Sequence, residues 1–203
     1  MRKTSQIDGG CDFAADPNCS GLIRPIFWTS QVDPAALTLA PGPTPTEGIG
    51  IRPDDLRAGV LVEHDPTLVR IAVQRESYDI AFDNVGGSPA LAAVVMLDDL
   101  TPDRLIALSR FWSAIAGKPV PPDPRMTDQR RQRARQMLRA VDARATGATY
   151  RAIAEGLFPH HDVEPAAWVG TAIRETTIRL VRDGLKLVRG GYRSLLRRPR
   201  RDR

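Results

Sequence analysis

The spacing of hydrophobic and polar positions changes partway along the chain. Ser77–Phe82 alternates Tyr78, Ile80 and Phe82 with Ser77, Asp79 and Ala81, the two-residue period of a half-buried strand. Upstream, Val60–Glu63 and Leu68–Val73 are runs rich in β-branched residues on either side of His64-Asp65-Pro66-Thr67, a turn signal, and predict an antiparallel hairpin. After Gly86-Gly87, Leu91–Leu97 fits either another strand or a short buried helix. These pieces predict a small antiparallel sheet. Between Pro25 and Pro53 the apolar pieces Ile26–Trp28 and Ala36–Leu39 are broken up by Pro34, Pro41, Pro43 and Pro45. The run Pro41–Pro45 excludes a helix or a central strand, so this stretch reads as loop with short extended segments. Residues 1–20 are polar, hold Gly9-Gly10 and a turn signal, and are expected to be disordered.

From residue 101 the period becomes helical. Thr101-Pro102-Asp103 is a start signal, with a hydroxyl cap, proline at the first helical position and an acid in the first turn. Leu105, Leu108, Trp112 and Ile115 then recur at helical spacing up to Gly117. Residues 118–125 contain Pro119, Pro121, Pro122 and Pro124 and predict a stiff connector. Thr127-Asp128 starts a helix whose Ala134, Met137, Leu138, Val141 and Ala145 form one stripe, ending at Gly147. Thr149 caps a two-turn helix with Tyr150, Ile153, Ala154 and Leu157 on its buried face. A turn of about eight residues, Phe158–Pro165, leads to a third helix predicted from about Ala166 to Asp183. Beyond it, Leu185–Arg189 and Tyr192–Leu196 around Gly190-Gly191 form either a hairpin wing or a continuation of the helix capped at Gly190. The predicted architecture is α+β. A β/α module occupies residues 21–117, an all-α helix-turn-helix-like domain residues 126–196, and a basic tail residues 197–203.

Charge sharpens this division. The chain carries a formal +5, but residues 1–124 sum to −6 and residues 125–203 to +11. Such asymmetry points to nucleic-acid contact by the second part. No apolar run approaches the ~20 residues that span a bilayer, and no leader-like apolar stretch follows Arg2-Lys3. A protein without membrane contact, placed in the cytoplasm, is the expectation.

On the predicted third helix, 100° per residue with Ile173 at the centre of the inner face turns Val169, Thr176, Thr177 and Leu180 inward. Thr171, Glu175, Ile178 and Arg182 then point outward, with Arg174 and Arg179 on the flanks. Arginine suits guanine and phosphate, and threonine and isoleucine suit thymine methyls, so this is the composition of a recognition helix in the major groove. An ordinary solvated helix face has a similar composition; the short capped helix before it and the local charge of +11 favour the DNA reading. Arg151, Lys186, Arg193 and the tail arginines Arg197 and Arg198 are the expected phosphate contacts.

Several short segments, in this order, carry a resemblance: Leu138–Asp142, Thr149–Phe158, Trp168, Ile178–Gly184 and Gly190–Arg193. Arg24–Trp28, Leu37–Pro41, Phe111-Trp112 and Pro119–Pro122 extend it upstream. Together they resemble a proteobacterial family of FseA/QseM-like regulators of conjugative-element transfer. The resemblance implies an extended-turn helix-turn-helix and two roles, basic DNA-binding activators and acidic antiactivators. The +11 segment sides with the DNA binders. The expected partner is therefore double-stranded DNA, with a partner regulator domain or RNA polymerase contacting the β/α module. The alternatives are an antiactivator docking a partner activator domain, and an excisionase-like architectural factor.

Catalytic chemistry is not expected. No Walker A sequence, dinucleotide glycine fingerprint, nucleophile elbow or zincin motif occurs. His160-His161 with Asp162 and Glu164 lacks metal-ligand spacing, and Cys11 and Cys19 are too few and too distant to help. Asp54-Asp55 and Asp98-Asp99 read as helix-start and loop acids. No cofactor and no metal are predicted.

Overall fold

The computed structural model describes residues 13–14, 26–45, 50–87, 90–161 and 168–199, and the chain divides into two units, Met1–Pro121 and Pro122–Arg203. Of the segment expected to be disordered, only the strand Phe13–Ala14 (β1) falls within the described residues, paired antiparallel with Phe27–Trp28 (β2). The cysteines fall outside them.

The first unit is built on a five-stranded sheet. Its strands are β3 (Leu37–Pro41), β4 (Val60–Asp65), β5 (Leu68–Val73), β6 (Glu76–Phe82) and β7 (Leu91–Val94), in the order β4-β5-β6-β3-β7. A short helix, α1 (Pro53–Arg57), follows β3, with Asp54 and Asp55 in its first turn. The predicted hairpin forms as β4–β5, and the alternation in β6 buries Tyr78, Ile80 and Phe82. These pack with Val69, Ile71, Leu37 and Leu39 into one core. Across the β5–β6 pair, Arg70 holds Asp79 through Nε–Oδ1 (2.5 Å) and Nη2–Oδ2 (2.8 Å), in the register that sets the two residues opposite each other. The bidentate contact fixes geometry as well as adding charge attraction.

Three expectations for this unit need correction. The sheet is mixed, because β3 runs parallel to β6 and antiparallel to β7. The proline-broken stretch supplies that inner strand: Leu37 and Leu39 are buried in alternation, and Pro41 lies beyond the last β6 partner of β3, so its missing N–H interrupts no ladder on that side. A parallel neighbour requires a crossover, here the segment containing α1 and the β4–β5 hairpin. Leu91–Val94 takes the strand alternative. The helix α2 (Thr101–Ile115) forms, but its buried side is rotated from the predicted stripe: Phe111 and Ala114 face the core, while Leu105 and Trp112 are 53% and 54% exposed. Asp98 shapes its start, accepting the Leu100 N–H (2.8 Å) and pairing with Arg104.

The second unit is helical. Helices α3 (Asp128–Ala145), α4 (Tyr150–Leu157) and α5 (Ala172–Val188) pack pairwise, followed by a 3₁₀ turn over Gly191–Leu195. Met137 and Ala140 of α3, Ile153 of α4, and Leu180 and Val181 of α5 form its core. Each helix opens on a threonine whose hydroxyl accepts a backbone N–H at 3.2 Å: Thr127 from Arg130, Thr149 from Ala152 and Thr171 from Arg174. One orphan donor of each first turn is thereby satisfied. Gly147, at φ +89°, ends the turn after α3 in the left-handed region that favours glycine.

Helix α5 starts six residues later and ends five residues later than predicted. Gly170 (φ +91°) and the Thr171 cap delay its start, and Val169, expected on the inner face, is 82% exposed and precedes the helix. Residues 162–167, including Asp162 and Glu164 of the weighed metal cluster, lie outside the described residues. At the other end Gly184 does not stop the helix. It is buried within it, and the left-handed Gly190 (φ +111°) follows the C-cap at Arg189. The continuation holds, and the described residues of 184–196 contain no hairpin wing. The stripe of α3 is also rotated: Met137 and Ala140 are buried, while Leu138 is 59% exposed.

Candidate nucleic-acid interface

Helix α5 buries Thr177, Leu180, Val181 and Gly184. Counting 100° per residue, the opposite side carries Glu175, Arg179, Arg182 and Lys186 at i, i+4, i+7 and i+11, and all four are exposed. Three of the four are cations. Arg182 also reaches Asp183 (3.0 Å), whereas Arg179 and Lys186 have no carboxylate partner among the described residues. Of the residues expected to point outward, Glu175 and Arg182 lie on this side, whereas Ile178 does not; Arg179, expected on a flank, and Lys186 stand at its centre.

The other nominated residues fall elsewhere. Arg174 and Ile178 are half-buried on one flank of α5, and Arg174 is paired with Glu175 (2.8 Å). Arg151 lies in the first turn of α4 and pairs with Glu155 one turn on (3.4 Å). Arg193 is exposed in the 3₁₀ turn, and Arg197 and Arg198 are exposed just after it. Arg200–Arg203 lie outside the described residues.

Thr171 precedes α5 and serves as its cap. Its hydroxyl accepts the Arg174 N–H (3.2 Å) and donates to the Trp168 carbonyl (3.1 Å), so its single proton and one of its lone pairs serve the cap. Thr171→Ala is expected to lower unfolding stability by about 1 kcal/mol, with Thr171→Asn restoring most of it. Chemical denaturation of the three proteins checks this. A Thr171→Ala protein as stable as wild type, or a Thr171→Asn protein no more stable than Thr171→Ala, would contradict the capping role.

Several cations in the +11 segment are structural. Arg130 donates to the carbonyls of Arg125 (2.5 Å), Ser194 (2.5 Å) and Arg197 (3.0 Å), tying the chain after α5 to the start of α3. Arg133 reaches across from α3 to Asp183 of α5 (2.8 Å). Sequence reasoning missed both roles, although Arg130 and Arg133 share the helical face of Met137 and Ala140, a placement that signals inward-directed cations.

Asp183 thus joins two arginines from two helices. Partial burial pushes its carboxyl upward, but hydrogen bonds from Arg182 and Arg133 outweigh that and hold it below the usual carboxylate range. A carboxyl lowered in the folded state adds stability above its unfolded value, and that stability is lost as pH falls through the folded value. Asp183→Asn is therefore expected to lower the neutral-pH unfolding midpoint and to shrink the stability loss below about pH 4. Parallel pH-dependent thermal unfolding of the two proteins measures both.

The weighed metal cluster gains nothing from the described part of the fold. His160 and His161 are exposed, and the His161 ring stands edge-on to Phe158. Among the described residues no group of three or more histidine, cysteine or carboxylate side chains could hold an ion. No helix among them is long and apolar enough to cross a membrane.

Comparison with known families places this geometry. The model of a T6SS transcription factor DNA-binding domain, of RovC type, matches residues 94–197, from the end of β7 through α2 and the helical unit to the close of the 3₁₀ segment. No curated protein and no solved structure matches the chain at a significant level. The match covers just over half of the 203 residues, including every element that carries the cationic stripe. The chain belongs to the family of T6SS transcription factor DNA-binding domains, a family of DNA-binding regulators and not of enzymes.

Proposed function

We propose that the protein is a sequence-specific transcriptional regulator that inserts the outer face of α5 into the major groove, as the second helix of an extended-turn helix-turn-helix formed with α4. The carrying observation is the stripe Arg179–Arg182–Lys186, exposed on the side of α5 opposite its buried face, within a segment of net charge +11. In this reading Arg179 and Arg182 reach base edges and phosphates, and Lys186 contacts the backbone. Arg174 and Ile178 border the contact, and Arg151, Arg193, Arg197 and Arg198 add phosphate contacts around it. The first unit serves as the protein-contact module, a role supported by the exposed Leu97, Leu105 and Trp112 at and near α2. Control of a mobile or conjugative element is the biological setting that the resemblance to FseA/QseM-like regulators supports.

The test is selection of duplexes from a random library by the full-length protein. The enriched and a scrambled duplex are then titrated at several salt concentrations. A preferred sequence is expected, with log K falling against log salt at a slope of about −3 or steeper if the three stripe cations each meet a phosphate. No enrichment, or an affinity indifferent to salt, contradicts the reading.

A further inference from the structure

Within the second unit, an open apolar groove lies between α3, the last turns of α5 and the 3₁₀ turn. Its volume is about 490 Å³. Ala134, Leu138 and Val141 line one side, and Leu187, Val188 and Leu195 the other. From Arg131 to Val141 the α3 wall runs ten residues, about 15 Å or nearly three helical turns. The rims are apolar yet solvent-facing: Leu138 is 59% and Val188 62% exposed. An open trough with exposed apolar rims fits the side of another helix better than an enclosed small ligand.

Charge narrows the occupant. The charged residues lining the groove are Arg131 and Arg135, both on α3, and no carboxylate lines it. Arg131 has a long contact (3.5 Å) with the fully exposed Asp128, and Arg135 has no carboxylate partner among the described residues. A symmetric dimer through this face would bring four such arginines, with no lining carboxylate to pair them, and two segments of +11 into one interface. A second copy is therefore disfavoured. We infer that the groove docks an acidic amphipathic helix of a partner protein, with leucine-type side chains at i, i+3, i+4 and i+7 on the floor and carboxylates facing Arg131 and Arg135.

By the helical angle, Gly184, Leu187 and Val188 lie on the side of α5 away from Arg179, Arg182 and Lys186. Partner docking and DNA binding can therefore coexist, and the inference stands whether or not the stripe reads DNA.

The probe is a labelled synthetic helix of about 18 residues, with leucines at that spacing and glutamates elsewhere, titrated against the full-length protein by fluorescence anisotropy. The same peptide with lysines replacing the glutamates is its control. The acidic peptide is expected to bind and the basic one not. Leu138→Asp and Val188→Asp are each expected to weaken binding by about tenfold or more, and Arg131→Gln with Arg135→Gln by about threefold to tenfold. Both apolar positions are surface-exposed, and far-UV circular dichroism verifies that the variants remain folded. Arg179→Gln with Lys186→Gln should leave peptide affinity unchanged, and saturating duplex should not displace the peptide. Equal binding of both peptides, binding of neither, or equal loss in the Arg179/Lys186 variant would overturn the inference. So would a protein dimer that disappears in Leu138→Asp, which would make the occupant a second copy.

Discussion

Gly184→Ala is expected to destabilise the helical unit by about 1–3 kcal/mol, although alanine is favoured over glycine in a helix interior by about 1 kcal/mol. The reason is where α5 crosses α3. A Cβ at residue 184 would stand 2.6 Å from Cγ2 of Val141 and 2.9 Å from the backbone oxygen of Met137. The valine methyl can rotate away, but the carbonyl belongs to the α3 backbone and yields only if the helices separate. Met137, Leu180 and Val181, all in the core, meet at that crossing. Gly184→Val adds two further methyl groups to the same space and should leave α5 undocked. Denaturant unfolding of wild type, Gly184→Ala and Gly184→Val measures the series. An alanine variant as stable as wild type would mean that the helices do not cross this closely.

The second large effect concerns DNA. Arg179→Ala and Arg182→Ala are each expected to weaken binding to the selected duplex by about 1–3 kcal/mol, with a smaller loss on a scrambled duplex. Adding Lys186→Ala should lower the magnitude of the salt slope by about 0.9 for each phosphate contact removed. Arg174→Ala should matter less, because that side chain is half-buried on the flank and committed to Glu175. Arg130→Ala provides the contrast: its guanidinium is occupied by three carbonyls, so it should reduce folding stability more than sequence preference. Equal losses on the selected and scrambled duplexes for Arg179→Ala and Arg182→Ala would remove these residues from base reading.

Much of the local structure was legible because its determinants are local. The β4–β5 hairpin followed from a turn signal between two β-branched runs. All three helix starts in the second unit fall on threonines, and the sequence singled out Thr127 and Thr149 as caps. Thr171 was read as an outward residue inside a helix begun at about Ala166, rather than as the cap it forms. Only the position of Gly170 and the first turn of α5 separates the two. Leu105 and Trp112, and likewise Leu138, were assigned to buried stripes that are rotated in the fold. An apolar residue on either edge of a helix satisfies the same period, and the neighbouring element decides which edge it covers.

Read alone, the chain shows an acidic β/α part followed by a basic helical part whose third helix carries arginines suited to DNA. Those properties depend on residue identity, helical period and summed charge, none of which needs a partner element. Tertiary structure decided the rest. It placed a proline-bounded strand inside a mixed sheet, because pairing between segments far apart in sequence leaves no periodic trace. It also divided the cations by role: Arg130 and Arg133 went to carbonyls and a carboxylate on other segments, while Arg179, Arg182 and Lys186 were left facing outward. A guanidinium has the same charge in either place. What differs is whether a neighbouring segment brings an acceptor within hydrogen-bond reach, and only packing supplies that.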